Sequence, residues 1–139
     1  MFSISDAASA YFLSAERCEE FRPLEEGKSQ MLLSPAVTNR AFSVELYVKA
    51  ILEKENSEAR GHNLYELFQK LSEPVQTEII RITGIDGEEF RTEIEENSNL
   101  FVDWRYLYEK ENEDVRISWQ FLQHLSIAVR SVYESTYDT

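Results

Sequence analysis

Apolar residues recur at steps of three and four through most of the chain, and no segment shows the strict alternation of a half-buried strand. Ile4, Ala8, Tyr11, Phe12, Ala15 and Cys18 fall on one side of a helix expected over about Ser5 to Phe21. Arg22-Pro23 closes it, because the residue before a proline avoids helical geometry. Val37, Ala41, Val44, Val48 and Ile51 line one face of a second helix, and Phe42, Leu46 and Ala50 form a second apolar line on roughly the opposite side. A helix apolar on two sides is buried between neighbours. Ser34 to Lys54 therefore reads as the central element, with Ser34 as N-cap, Pro35 at the first helical position and an end near Glu55. Met31 to Leu33 can add a turn ahead of it.

Gly61 supplies turn freedom, and Asn63 with Glu66 resembles a capping box ahead of Leu64, Leu67, Phe68 and Leu71. Ser72-Glu73-Pro74 starts another helix, with Val75, Ile79, Ile80 and Ile82 apolar and Gly84 at its end. Asp86 and Glu89 form a further N-cap and N3 pair. From there Phe90, Ile94, Phe101, Trp104 and Tyr108 keep helical spacing, which fits either one helix over Gly87 to Glu109 or two, with Asn97-Ser98-Asn99 as the place to kink or break. Lys110 to Asp114 reads as a polar turn. A last helix is expected over about Val115 to Glu134, with Phe121, Leu125, Ala128 and Val132 on one line, Leu122, Val129 and Tyr133 beside it, and fraying beyond. The pattern predicts an all-α protein: one domain over residues 1–139, an up-and-down bundle of about five or six helices.

Composition narrows the function classes. The 139 residues suffice for one domain with a real core, and four glycines and three prolines leave little room for low-complexity sequence. No apolar run is long enough to cross a membrane. The first residues lack the basic region and continuous apolar core of a signal peptide. Cys18, the single cysteine, lies on the apolar face of the first helix and reads as a buried thiol without an internal partner. A cytoplasmic protein is the expectation. The net charge of −12 opposes binding to a phosphate backbone, since basic residues are not gathered in sequence. From Asp86 to Asp114, eleven acids face only Arg91, Arg105 and Lys110. That run reads either as a solvated helix face or as a surface for a basic protein partner. No compact metal-ligand spacing, phosphate loop, dinucleotide fingerprint or nucleophile elbow occurs, so no metal and no cofactor are expected.

Three pieces in order, AFSVELYVKAIL at Ala41–Leu52, GHNLYELFQKL at Gly61–Leu71 and FVDWRYLYE at Phe101–Glu109, resemble the HEPN family of small helical-bundle domains. The resemblance extends from about Tyr11 to Tyr133. It implies a bundle of four or five helices that dimerises through central helices. It further implies a role in RNA cleavage, toxin–antitoxin pairs or phage defence, often beside a nucleotidyltransferase-type partner. Catalytic members resemble metal-independent ribonucleases with an Arg-x(4–6)-His motif, whose histidine moves a proton and whose arginine stabilises phosphate charge. Arg105 stands where the motif arginine is expected, but the histidine position falls on Lys110, Glu111 or Asn112. His124 follows Arg116 with seven residues between, outside the motif spacing, and lies in a different element.

Arg105, Tyr106, Tyr108 and Glu109 form the most site-like cluster. In one reading Arg105 is held by Glu109 or Glu45 while the aromatics pack in the bundle. In the other it contacts the anion of a nucleotide or phosphate in a pocket with the tyrosines. Glu45 and Lys49 are an i,i+4 pair in the favourable order. They form either a partly exposed ion pair or a pair in a groove or dimer seam, where desolvation makes it costly and specific. His62 reads as a capping or packing residue or as a ligand. Three functions remain open: a non-catalytic homodimeric binding or regulatory module, a ribonuclease using Arg105, and an acidic module that masks a basic partner.

Overall fold

The computed structural model describes residues 3–20, 25–27, 33–98 and 112–137. Six α-helices occur among them: α1 (Ile4–Cys18), α2 (Leu33–Lys54), α3 (Leu64–Lys70), α4 (Glu73–Thr83), α5 (Gly87–Glu96) and α6 (Asn112–Tyr137), with a short 3-10 turn at Glu25–Gly27. No strand is present among the described residues, and the protein is an all-α helical bundle.

The helix ends follow local chemistry. α1 begins one residue earlier than the pattern suggested, because Ser3 and Asp6 close a capping box: the Ser3 hydroxyl accepts from the Asp6 N–H at 3.1 Å, and the Asp6 carboxylate accepts from the Ser3 N–H at 3.0 Å. It ends at Cys18 rather than Phe21, with Glu19 as its cap. Ser34 is not the cap of α2, since the helix already includes Leu33. Pro35 sits in the first turn, where a missing N–H costs no intrahelical bond. Asn63 caps α3, accepting from the Glu66 N–H at 3.0 Å. Ser72 occupies the N-cap of α4 without a side-chain bond, and Gly84 ends that helix at φ 72°. Asp86 accepts from the N–H groups of Glu88 and Glu89 and caps α5.

α5 stops at Glu96, at the break expected over Asn97-Ser98-Asn99; there the Asn97 side chain donates to the Glu93 carbonyl at 2.8 Å and competes for the helical ladder. One expected boundary is corrected. The residues 112–114, expected in a polar turn, are helical. α6 also continues past Glu134, because Tyr137 packs on Tyr133 with ring centroids 5.7 Å apart.

α2 is the centre of the bundle. It packs against α1, α6 and α3, while α4 packs on α6 and α3 on α5. Ala8 and Ala15 are fully buried, and their small side chains let α1 lie close to α2; there the Ser43 hydroxyl donates to the Ala8 carbonyl at 2.9 Å. Val37, Ala41, Val44, Val48 and Ile51 are all buried as the periodicity predicted. At the other end of the core, Phe68, Phe90 and Phe121 join α3, α5 and α6, with successive centroids 5.0 and 5.4 Å apart. Each such contact contributes about 0.5–1.5 kcal/mol beyond its buried area.

The second apolar line of α2 is only partly covered. Ala50 is buried and Leu46 half-buried, but Phe42 remains 42% exposed. Tyr11, expected on the buried side of α1, is likewise exposed. Cys18 is half-buried rather than enclosed, and its Sγ lies 3.8 Å from Asn39 Nδ2.

Candidate functional site

One line of α2 carries Phe42, Glu45, Leu46 and Lys49 at helical steps of three and four, and of these only Phe42 is exposed. Lys49 Nζ lies 3.3 Å from Glu45 Oε2, and each side chain is only 14% exposed. The chain then leaves α2, turns at Asn56 and Gly61, both with positive φ, and returns alongside it. Gly61, at φ 96°, is a position that few residues with a Cβ adopt. That turn sets His62 against the middle of α2, with Nδ1 3.3 Å from both carboxylate oxygens of Glu45. Three of the seven candidate residues, Glu45, Lys49 and His62, thus form one cluster although they come from two segments. Arg105, Tyr106, Tyr108 and Glu109 lie outside the described residues, as does the side chain of Arg116.

Glu45 sits between two cation-forming groups. The Lys49 ammonium lies on one side of it and the His62 ring on the other. With Nδ1 held by the carboxylate, the His62 ring is oriented, and the side chain as a whole is 75% exposed. A carboxylate-oriented imidazole beside an ammonium has the parts for moving a proton next to an anion. The bifurcated 3.3 Å geometry is long for such a pair. His62 is therefore neither the N-cap of α3, a role taken by Asn63, nor a core residue.

One turn of α2 ahead of this cluster, Phe42 stacks on Tyr11 of α1 at 5.3 Å between centroids, tilted by 47°. Together they give an exposed aromatic patch one turn from the largely covered Glu45–Lys49 pair. The remaining exposed large apolar side chains among the described residues are Leu13 and Ile127.

The charged network that sequence reasoning missed lies inside the bundle. Arg40 is 4% exposed. Its Nε and Nη2 donate to the two oxygens of Glu19 at 2.8 and 3.0 Å, and Nη1 donates to Ser126 Oγ at 3.0 Å. Gln123 Nε2 completes the set on Glu19 Oε1 at 3.0 Å. Arg40 and Arg130 both lie over the Phe12 ring, 4.6 and 4.4 Å from its centroid. The signal was present in the sequence: Arg40 falls three after Val37 and four before Val44, on the apolar line itself. A charge at such a position needs a buried partner. An open groove of about 590 Å³ lies over this network, lined mainly by Phe12, Glu16, Ile127, Arg130 and Glu134.

Among the described residues no group of His, Cys, Asp and Glu is arranged to hold a metal ion, and no helix is long and apolar enough to cross a membrane. No family model, no curated protein and no solved structure matches the chain.

Proposed function

We propose that this chain is a HEPN-like, non-catalytic binding or regulatory module that works as a homodimer in the cytoplasm, of the kind found in toxin–antitoxin or defence systems beside a nucleotidyltransferase-like or other protein partner. The observation that carries the reading is the exposed pairing of Tyr11 of α1 with Phe42 of α2. Aromatic side chains at a patch centre are the usual anchors of a protein interface. A two-fold axis across this end of α2 sets each Tyr11–Phe42 pair against its counterpart. The order of the three quoted sequence pieces and the all-helical bundle support the family, and a free, half-buried Cys18 fits a reducing compartment.

A ribonuclease is the second reading, and the Glu45–His62 pair beside Lys49 favours it, with Arg105 as the phosphate contact. The missing motif histidine and the net charge of −12 weigh against it. Two measurements on one preparation separate the readings. Light scattering at micromolar concentration should give a dimer for the parent chain and a folded monomer for Phe42→Asp; a monomeric parent chain sinks the dimer. RNA incubated without added metal should stay intact. Cleavage by the parent chain that is lost in Arg105→Ala or His62→Gln establishes the ribonuclease instead.

A further inference from the structure

The open groove of about 590 Å³ runs between α1 and α6, with Phe12 and Glu16 on one wall, Ile127, Ser131 and Glu134 on the other, and Arg40 beneath. The two walls are antiparallel, because Glu19 meets Gln123 and, two turns further along, Phe12 meets Arg130. Glu16 therefore stands near one end of the groove on the α1 wall, level with Ser126 and Ile127. Glu134 stands at the other end on the α6 wall, beyond Phe12. The two levels are roughly 12 Å apart along the helices. Ile127 is 52% exposed, and Leu13, next to Phe12 on α1, is 46% exposed. These are two of the four exposed large apolar side chains among the described residues, and neither belongs to the Tyr11–Phe42 pair.

The charges of the groove decide what suits it. Arg40 is matched by Glu19, and Arg130 Nε donates to Glu134 Oε1 at 3.0 Å, so neither guanidinium presents an unmatched positive charge. Glu16 is exposed and has no ion pair among the described residues. The Glu134 side chain is 45% exposed. The groove thus has an apolar middle and one carboxylate on each wall, at opposite ends. A groove between two helices receives a third helix through an apolar stripe. The complement here is a helix whose stripe covers Phe12, Leu13 and Ile127, with a lysine or arginine on each flank about two turns apart. The long stems of those bases add apolar cover while their charges reach the rim. The walls are already fixed by the Arg40 network, so docking orders little on this side. The net charge of −12 draws a basic partner toward the chain before contact.

We propose that the α1–α6 groove receives a basic amphipathic helix of a partner protein. The proposal rests on reading the chain as a binding module, but not on its dimerisation. The probe is a synthetic peptide of about four helical turns, with a leucine stripe and lysine flanks, held helical by an i,i+4 lactam on its outer face. Two control peptides keep the lactam: one has glutamate flanks, the other has serine in place of the leucines. Each is titrated into isotopically labelled full-length protein and followed by backbone amide NMR. Saturable shifts should appear at Phe12, Glu16, Ile127 and Ser131 with the lysine-flanked peptide. Ile127→Ser should weaken that binding about tenfold, and Glu16→Gln about threefold. Glu66→Gln, which removes an exposed acid on α3, should leave it unchanged. Equal binding of either control peptide, shifts spread over the acidic surface, or no saturation would each overturn it. Shifts at the same four residues on concentrating the protein alone would put a second copy in the groove, and would overturn it too. The light-scattering and RNA assays report on the binding-module reading separately, so a failure of the groove is distinguishable from a failure of that reading.

Discussion

Arg40 of α2 and Glu19 at the end of α1 form a two-pronged ion pair, with Nε to Oε2 at 2.8 Å and Nη2 to Oε1 at 3.0 Å. The Arg40 side chain is 5% exposed and that of Glu19 is 20% exposed, so the pair is largely removed from water. Ser126 and Gln123 of α6 close the network, which therefore ties together the three helices around the centre of the bundle.

Cutting one side of that network leaves a poorly solvated charge. Arg40→Met should lower stability by about 2–4 kcal/mol, toward the lower part of the range for buried pairs because Glu19 keeps some contact with water and with Gln123. Glu19→Gln should cost much less in the Arg40→Met background than alone. Urea unfolding of the two single variants and the double variant measures the coupling. Additive losses would mean that the pair contributes packing only.

Gly84 ends α4 in the left-handed region, with φ 72° and ψ 10°. A Cβ built there meets nothing within 4 Å, so a larger side chain has space and the whole cost is backbone strain. Gly84→Ala should therefore destabilise by about 1–2 kcal/mol, and Gly84→Asn by less, since asparagine tolerates this conformation better. Thermal unfolding of the pair decides it. Equal costs would point to a steric conflict instead.

Much of the bundle was legible because caps and periodicity act over a few residues. Asn63, Asp86, Gly84 and the Val37–Ile51 line each state their role within one or two turns of helix. The errors arose where distant segments decide. Phe42 is apolar and on helical spacing, yet it stays 42% exposed beside Tyr11 of α1, and sequence spacing does not say which side of a helix receives a neighbour. Arg40 broke an apolar stripe visibly, but its partner Glu19 lies 21 residues away. The meeting of His62 with Glu45 depends on the reversal at Gly61. That glycine announced a turn without announcing where the returning chain would land.

Phe90 and Phe42 are the same residue type in opposite surroundings. Phe90 is fully buried and touches both Phe68 and Phe121. Phe90→Ala should cost about 3–5 kcal/mol, enough to unfold much of a marginal domain at ordinary temperature. Phe42→Ala, at a 42% exposed site, should change monomer stability by about 0.5 kcal/mol. Denaturant midpoints measured on dilute, monomeric protein separate the two. A large loss at Phe42 under those conditions would assign it to the core rather than to an interface.

Tyr47 links the core to alkaline stability. It is 2% exposed, and its ring packs on Tyr133 at 5.8 Å. Burial pushes its phenol above the ordinary range, outweighing the opposing Ser9 hydrogen bond and Arg130 charge, while Glu134 adds to the rise. A raised folded pKa means that the folded state keeps its proton where the unfolded state has lost it. The stabilising contribution is complete below about pH 10 and is lost as pH rises from there through the folded value. Tyr47→Phe removes this titration but keeps the ring in place. Stability of the parent chain should therefore fall more steeply than that of Tyr47→Phe above about pH 10, with the two curves parallel at neutral pH. Parallel curves throughout would show that the phenol reaches water and ionises freely in the folded chain.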